Sequence, residues 1–83
     1  MVKVLFFASV RDRIGCSELN IELPVEARTV ATFTDMVMGR GEVYAGVLSD
    51  QRIMIAVNQE LANPEMVIED GDEIAYFPPV TGG

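Results

Sequence analysis

The sequence is organised around residues 71–83, where a short apolar run leads into two prolines and ends on two glycines. Residues 73–77 contain the β-branched and aromatic side chains that are typical of a strand. Pro78 and Pro79 end that strand, because proline has no N–H to donate to a sheet and its φ angle is fixed. The two prolines also favour a stiff, extended exit from the domain.

The last six residues therefore have the properties of an arm. They reach roughly 20 Å when extended, and Gly82 and Gly83 carry no Cβ, so the arm fits a channel too narrow for a side chain. The α-carboxylate at its tip is ionised at neutral pH, with a reference pKa of about 3.5. Chain ends are often disordered, but the run of strand, Pro-Pro, spacer and Gly-Gly is specific. We predict a domain over residues 1–77 and a functional tail over residues 78–83.

Composition excludes several classes of function. The chain has 83 residues, of which six are basic and thirteen are acidic, and its net charge is −7. Nucleic-acid binding is disfavoured, because it needs clustered lysine and arginine. With no histidine and one cysteine, the chain has no histidine base and no zinc cluster, and we expect no metal site. Cys16 is interpreted as a small packing residue. The terminal carboxylate is the one unusual chemical group.

The same composition suggests where the protein works. No apolar stretch approaches the roughly 20 residues of a membrane span, and we expect no signal peptide. A single cysteine makes no internal disulfide, which fits a reducing compartment. We therefore predict a cytoplasmic protein that binds no membrane, and whose acidic surface suits a basic protein partner.

The periodicity of the first half predicts two strands and one main helix. Residues 2–8 alternate, with Val2, Val4 and Phe6 on one face. Residues 9–15 read as a short helical turn capped by Ser9, and residues 17–23 as a half-buried strand that pairs with the first. Thr29 is the expected N-cap of the main helix. Its apolar stripe consists of Val30, Phe33, Val37 and Met38, and Gly39 and Gly41 end it.

The second half predicts further strands separated by turns. Residues 43–48 are expected to form a short helical turn, and residues 53–57 are apolar throughout, which indicates a central strand. Residues 58–60 turn the chain, and Leu61 begins a brief strand. Residues 69–72 form the turn before the final strand.

The element order resembles the ubiquitin-like β-grasp fold, an α+β fold with a mixed sheet of four to five strands and one main helix packed on one face. In that fold the first and last strands lie side by side and parallel in the middle of the sheet. The resemblance implies that Ile53, Ile55, Ile74 and Tyr76 are core residues. It also implies an apolar face away from the helix, made of Leu5, Phe7, Met54, Ala56, Ala75 and Phe77. Exposed apolar faces usually mark docking surfaces.

Four segments resemble the MoaD family, the small sulfur-carrier subunits of molybdopterin synthase. They are residues 1–8 with Val10 and Arg11, residues 57–59, residues 70–73, and the run from Phe77 to Gly83. The resemblance covers the whole chain, with residues 27–51 diverged. The tail is its most specific part.

This resemblance implies a function for the tail. Gly83 would be adenylated by a ubiquitin-activating-like enzyme of the MoeB type, which uses ATP, and would then become a thiocarboxylate. The tail, with Gly82, would insert into a large subunit of the MoaE type that holds cyclic pyranopterin monophosphate, in a heterotetramer. The chain would bind no cofactor and would be a sulfur donor, not a catalyst alone. The partner-binding residues would be Phe7, Leu61, Phe77, Pro78, Pro79, Val80 and Thr81.

Three alternatives stay open on the sequence. A ThiS-like carrier would use the same chemistry for thiazole synthesis. A ubiquitin-like modifier would join Gly83 to a lysine. A non-covalent interaction module would have an inert tail. Co-purifying partners separate the first from a MoaD-type carrier, and conjugate ladders on a denaturing gel would reveal a modifier.

Overall fold

The computed structural model describes residues 1–79, which form one mixed β-sheet with helices against one face. The elements in chain order are β1 (Val2–Phe6), α1 (Ala8–Ile14), β2 (Glu18–Ile21), α2 (Val30–Met38), α3 (Glu42–Leu48), β3 (Met54–Val57), β4 (Glu60–Leu61) and β5 (Glu73–Phe77). The final strand has the bounds that the sequence predicts. The predicted α+β class and β-grasp fold are confirmed.

The strand order in the sheet is β2-β1-β5-β3-β4. β1 runs parallel to β5, with Val4 opposite Ile74, and the other neighbours are antiparallel. The predicted central position of β3 is wrong, because β5 lies at the centre. β3 is apolar for a different reason, since one of its faces covers the core and the other adds Met54 and Ala56 to an apolar outer surface.

The core lies between the sheet and the helices. Val2, Val4 and Phe6 of β1 are buried, as their alternation predicts, and so are Ile74 and Tyr76 of β5. Ile53 and Ile55 are partly buried and pack against this core. The other apolar side chains that pack against it include Cys16, Met36, Met38 and Met66, so Cys16 occupies the packing position expected of it.

The helix α1 differs from its prediction at its N-terminus. Its N-cap is Phe7, whose side chain makes no capping hydrogen bond, so the predicted cap at Ser9 is wrong. The chain turns directly after β1, with Ala8 at a φ angle of 52°, and this places the start of the helix one residue before Ser9. Gly15, the last residue of the predicted turn, ends the helix in the left-handed conformation, and its N–H donates to the carbonyl of Arg11 at 2.8 Å.

The helix α2 begins where the sequence predicts. The Thr29 hydroxyl accepts from the N–H of Thr32 at 3.2 Å, and the Thr29 N–H donates to the Thr32 hydroxyl at 3.0 Å. This reciprocal capping box lets a helix begin in a stretch rich in threonine. The expected turn at residues 43–48 is a full helix of seven residues, α3. Across residues 1–79, no helix has the length and apolarity that crossing a membrane would need.

Candidate partner-binding face and tail exit

One face of the sheet carries no helix and is apolar over the half nearest the tail. We call it the outer face; it consists of Leu5, Phe7, Met54, Ala56, Leu61, Ala75 and Phe77. The strand register places Leu5, Ala75, Ala56 and Leu61 in one row, because each is paired with the next. Met54 is paired with Phe77 in the neighbouring row.

Exposure varies across the outer face in a way that suits docking. Leu61 is 66% exposed and Phe7 is 46% exposed, whereas Leu5, Met54 and Phe77 are half-buried. Ala56 and Ala75 are buried at the middle of the face, among these larger side chains. The face becomes polar at its margins, with Glu18 on β2 opposite Leu5, and with Lys3 beside Glu73 farther from the tail. The apolar patch therefore has a charged margin, as protein-binding surfaces usually do.

Phe7 reaches the outer face because β1 is extended by one residue. Its N–H donates to the carbonyl of Tyr76 at 3.1 Å, so Phe7 continues the ladder between β1 and β5. The positive φ angle of Ala8 then turns the chain into α1. A left-handed conformation is uncommon for a residue other than glycine, and it is found at functional positions more often than elsewhere.

The opposite side of β5 is fixed by a buried hydrogen bond. The Tyr76 hydroxyl lies 2.8 Å from the hydroxyl of Thr34 on α2, and Tyr76 is fully buried. Burial raises the pKa of the Tyr76 phenol, so the group is neutral at all ordinary pH values. The Phe6 and Tyr76 rings stack with centroids 5.9 Å apart. These contacts fix β5, the strand that leads into the tail, against the core.

The tail leaves the sheet between α1 and the loop that joins α3 to β3. Pro78 is half-buried and Pro79 is exposed. Both line a cavity of about 280 Å³ together with residues of α1, α3 and that loop. Val80, Thr81, Gly82 and Gly83, which the sequence predicts to be functional, lie outside the described residues.

The comparison with protein families decides the family. The model of the ThiS family matches residues 4–83, almost the whole chain. The chain belongs to the ThiS family.

Individual relatives of this ThiS-family chain have names that are more specific than the family name. The molybdopterin synthase sulfur carrier subunit of Escherichia coli (strain K12) is 40% identical over 83 residues, which is 100% of both chains. A solved structure of a putative molybdopterin converting factor, subunit 1, from Pyrococcus furiosus is 30% identical with a TM-score of 0.78, covering 95% of this chain and 97% of that one. The resemblance to the MoaD family is therefore confirmed.

A third similar chain is part of an assembly. It comes from a protein–protein complex of subunits 1 and 2 of the molybdopterin-converting factor of Helicobacter pylori 26695. It is 26% identical to this ThiS-family chain, with a TM-score of 0.69, and the match covers 99% of this chain and 97% of that one.

The structure brings together most of the predicted site residues that it describes. Phe7, Leu61 and Phe77 share the outer face, and Pro78 and Pro79 follow Phe77 directly. Among residues 1–79 no group of three or more potential ligand side chains is close enough to hold a metal ion. The arrangement places the start of the tail beside an apolar surface.

Asn58 is a positioning residue whose role the sequence did not reveal. Its side chain donates to Asp72 at 3.1 Å and accepts from the N–H of Glu73 at 3.0 Å, and its own N–H donates to the carbonyl of Glu73 at 2.8 Å. Asn58 and Gln59 both have positive φ angles, 51° and 69°, which make a tight hairpin between β3 and β4. Two of the ThiS-family chain's motif segments, residues 57–59 and 70–73, thus join at the start of β5.

Proposed function

We propose that this chain is the sulfur carrier subunit of a molybdopterin synthase, and that its C-terminal Gly83 carries the sulfur as a thiocarboxylate. The observation that carries the proposal is the position of the apolar outer face immediately beside the exit of the tail, where Phe77 lies on that face and Pro78 follows it. A partner that docks on the outer face therefore meets the tail at its base. The relative named for this role is matched over its full length.

The chemistry proceeds through activation of the tail. The terminal carboxylate attacks the α-phosphate of ATP on an activating enzyme, which forms an acyl-adenylate and releases pyrophosphate. Sulfide then displaces AMP and leaves a thiocarboxylate. Sulfur is a better nucleophile than oxygen, so the tail becomes a tethered sulfur donor for cyclic pyranopterin monophosphate. Tethering supplies the effective concentration that proximity catalysis needs.

Two partners follow from this proposal. The large synthase subunit, of the MoaE type, takes up the tail and supplies the groups that hold the anionic substrate, which suits a carrier with a net charge of −7. The complex of subunits 1 and 2 from Helicobacter pylori supports such a partner. A MoeB-type activating enzyme supplies ATP chemistry, and the synthase is a heterotetramer. We place this reaction in the reducing cytoplasm, which suits a chain with one cysteine.

A ThiS-like carrier for thiazole synthesis is the second candidate function. It is favoured by the family model, which bears the ThiS name and matches residues 4–83. It needs the same face and the same tail, and differs in the protein that receives the sulfur. The names of the full-length relatives favour the molybdopterin pathway.

The test is intact mass spectrometry of the purified chain, before and after incubation with a MoeB-type enzyme, ATP and a sulfur source. We expect a mass gain equal to the replacement of one oxygen by one sulfur, located in the peptide that ends in Gly83. The loaded chain is then mixed with the large synthase subunit and cyclic pyranopterin monophosphate, and molybdopterin formation is measured.

A chain lacking Gly83 is the matched control and should gain no mass. If the full chain gains no sulfur while a carrier of known competence does, the sulfur-carrier proposal is wrong. If it gains sulfur but supports thiazole synthesis and no molybdopterin formation, the second candidate is correct.

A further inference from the structure

The cavity at the base of the tail is lined by charged side chains from two separate elements. Arg13 comes from α1, and Asp50 and Arg52 come from the loop between α3 and β3. The rest of the lining consists of Ser9, Val10, Val47, Ile53, Pro78 and Pro79. The cavity therefore lies beside the first residues of the tail.

Asp50 and Arg52 neutralise each other. The Asp50 carboxylate accepts from Nη2 and Nε of Arg52 at 2.9 and 3.1 Å, and from the Arg52 backbone N–H at 2.9 Å. These hydrogen bonds from Arg52 lower the pKa of Asp50 to about 2, so the carboxylate is charged at neutral pH. A two-point contact of this kind fixes the guanidinium in one orientation. Both residues belong to the loop that borders Pro78 and Pro79.

Arg13 is left as the available cation of this cavity. It is exposed, and within residues 1–79 it makes no ion pair, although its charge adds to the hydrogen bonds from Arg52 in lowering the pKa of Asp50. With two cations against one anion, the lining has a net positive charge, on a chain whose overall net charge is −7. An exposed guanidinium beside the exit of the tail is suited to a carboxylate on the partner, because its fork of N–H donors matches two carboxylate oxygens.

We propose that Arg13 is a docking residue that binds an aspartate or glutamate side chain of the protein that receives the tail. This inference rests on the function proposed above and adds a second contact point to it. The outer face supplies apolar contact on one side of the tail exit, and Arg13 supplies a charged contact on the other side. Together they fix the direction from which the partner approaches the tail.

A phosphate group of the substrate is the less suitable occupant. Sulfur transfer takes place at Gly83, and the four residues after Pro79 span up to about 13 Å when extended. A substrate that reacts at the tip of an extended tail is therefore remote from Arg13, whereas a protein that takes up the whole tail would meet Arg13 beside Pro79.

The first experiment measures the affinity of Arg13→Glu for the purified large molybdopterin synthase subunit by calorimetry at two ionic strengths. We expect binding about tenfold weaker than wild type at low salt, with a smaller difference at high salt, because marginal charge pairs act through screened electrostatics. Arg28→Glu is the matched control. It makes the same change of charge at an exposed residue that lies outside the cavity lining, and should change affinity less than twofold.

The second experiment identifies the carboxylate directly. Lys3 is the chain's one lysine, so Arg13→Lys adds a second lysine amine, and places it at the cavity. Treatment of the complex with a carbodiimide should form an amide between this introduced amine and an aspartate or glutamate of the large subunit, visible by mass spectrometry of the digested product. The same treatment of the wild-type complex provides the background for that peptide.

The outcomes separate this inference from the proposed function. If the wild-type chain fails to bind the large subunit, the proposed function itself is wrong. If wild type binds and Arg13→Glu binds equally well, only the inference about Arg13 is overturned. It is overturned equally if the introduced amine of Arg13→Lys cross-links to the terminal carboxylate of Gly83 and not to the large subunit. A loss of turnover in Arg13→Glu with unchanged subunit affinity would also overturn it, and would indicate a substrate phosphate.

Discussion

Replacing Leu61 by alanine should weaken binding to the large synthase subunit while leaving the fold almost unchanged. Leu61 lies on the two-residue strand β4, at the end of an outer-face row, and is 66% exposed in the isolated chain. Complete burial of a leucine side chain contributes about 1.5–3 kcal/mol. Only the third of Leu61 that is already buried stabilises the folded chain, so the substitution should lower the free energy of unfolding by about 0.5–1 kcal/mol.

The remaining two thirds of the side chain becomes buried only when a partner covers the outer face. That portion is worth about 1–2 kcal/mol of binding free energy, which is roughly a 5- to 30-fold change in Kd. The substitution therefore separates the effect on the binding free energy from the effect on the free energy of unfolding, whereas a buried core substitution would change both together. Phe7→Ala, at 46% exposure, should show the same separation.

The assay is calorimetric titration of the large subunit with each variant, together with thermal unfolding of the variant alone. Val43→Ala is the matched control, because Val43 is 51% exposed on α3, on the helix-bearing side of the sheet. It should melt within a few degrees of wild type and bind with unchanged affinity.

Two results would refute the reasoning. If Leu61→Ala binds within twofold of wild type, Leu61 is outside the interface and the outer face is not the docking surface. If Val43→Ala loses as much affinity as Leu61→Ala, the loss does not report on the outer face.

Four further predictions test the tail and the base that supports it. Deleting Gly83 should abolish sulfur transfer in a reconstituted synthase and leave the melting temperature unchanged; an active truncation would contradict the mechanism. Gly82→Val should lose adenylation by the activating enzyme at unchanged stability, because a branched side chain blocks a narrow channel, whereas normal adenylation would argue against such a channel. Tyr76→Phe should lower the free energy of unfolding by about 1–2 kcal/mol, since it leaves the buried Thr34 hydroxyl unpaired; chemical denaturation measures this, and an unchanged midpoint would mean that the hydrogen bond contributes nothing. The pKa of Asp50 falls from 3.8 to about 2 on folding, so its contribution to stability is present above pH 3.8 and is lost as the pH falls towards 2. The acid unfolding of Asp50→Asn should therefore lack the loss of stability that wild type shows in this pH range. Identical acid unfolding profiles of the variant and wild type would show that Asp50 does not contribute.

The sequence correctly predicted the elements that have a regular side-chain periodicity or a clear start or stop signal. The alternation of Val2, Val4 and Phe6 places them in the core, and the cap at Thr29 starts α2 at Val30. The run from Glu73 to Phe77 is bounded by a glycine-containing turn and two prolines, so both of its ends were predictable. These features depend on local chemistry, which a single sequence contains.

The features that were missed depend on contacts between distant segments. Asn58 reads as a turn residue, and nothing near it in the sequence indicates that its side chain meets Asp72 and Glu73. The predicted cap at Ser9 failed because the turn at Ala8 is imposed by the passage from strand to helix. Arg13 and Asp50 lie far apart in the sequence, and only the fold brings them to the same cavity beside Pro78.

Under the proposed function, the described part of the chain favours an effective sulfur donor because it holds the base of the tail in place. A flexible carrier loses effective concentration when its base moves, because the tip then samples a larger volume. Here β5 is held at its start by Asn58, along its buried side by Tyr76 and Thr34, and at its end by Phe7, whose N–H bonds to the Tyr76 carbonyl. Each contact restricts the direction in which Pro78 leaves the sheet. Loosening the contact at Asn58 or the one between Tyr76 and Thr34 should reduce the rate of sulfur transfer more than the affinity of docking, since the outer face remains in place while the direction of the tail is less restricted.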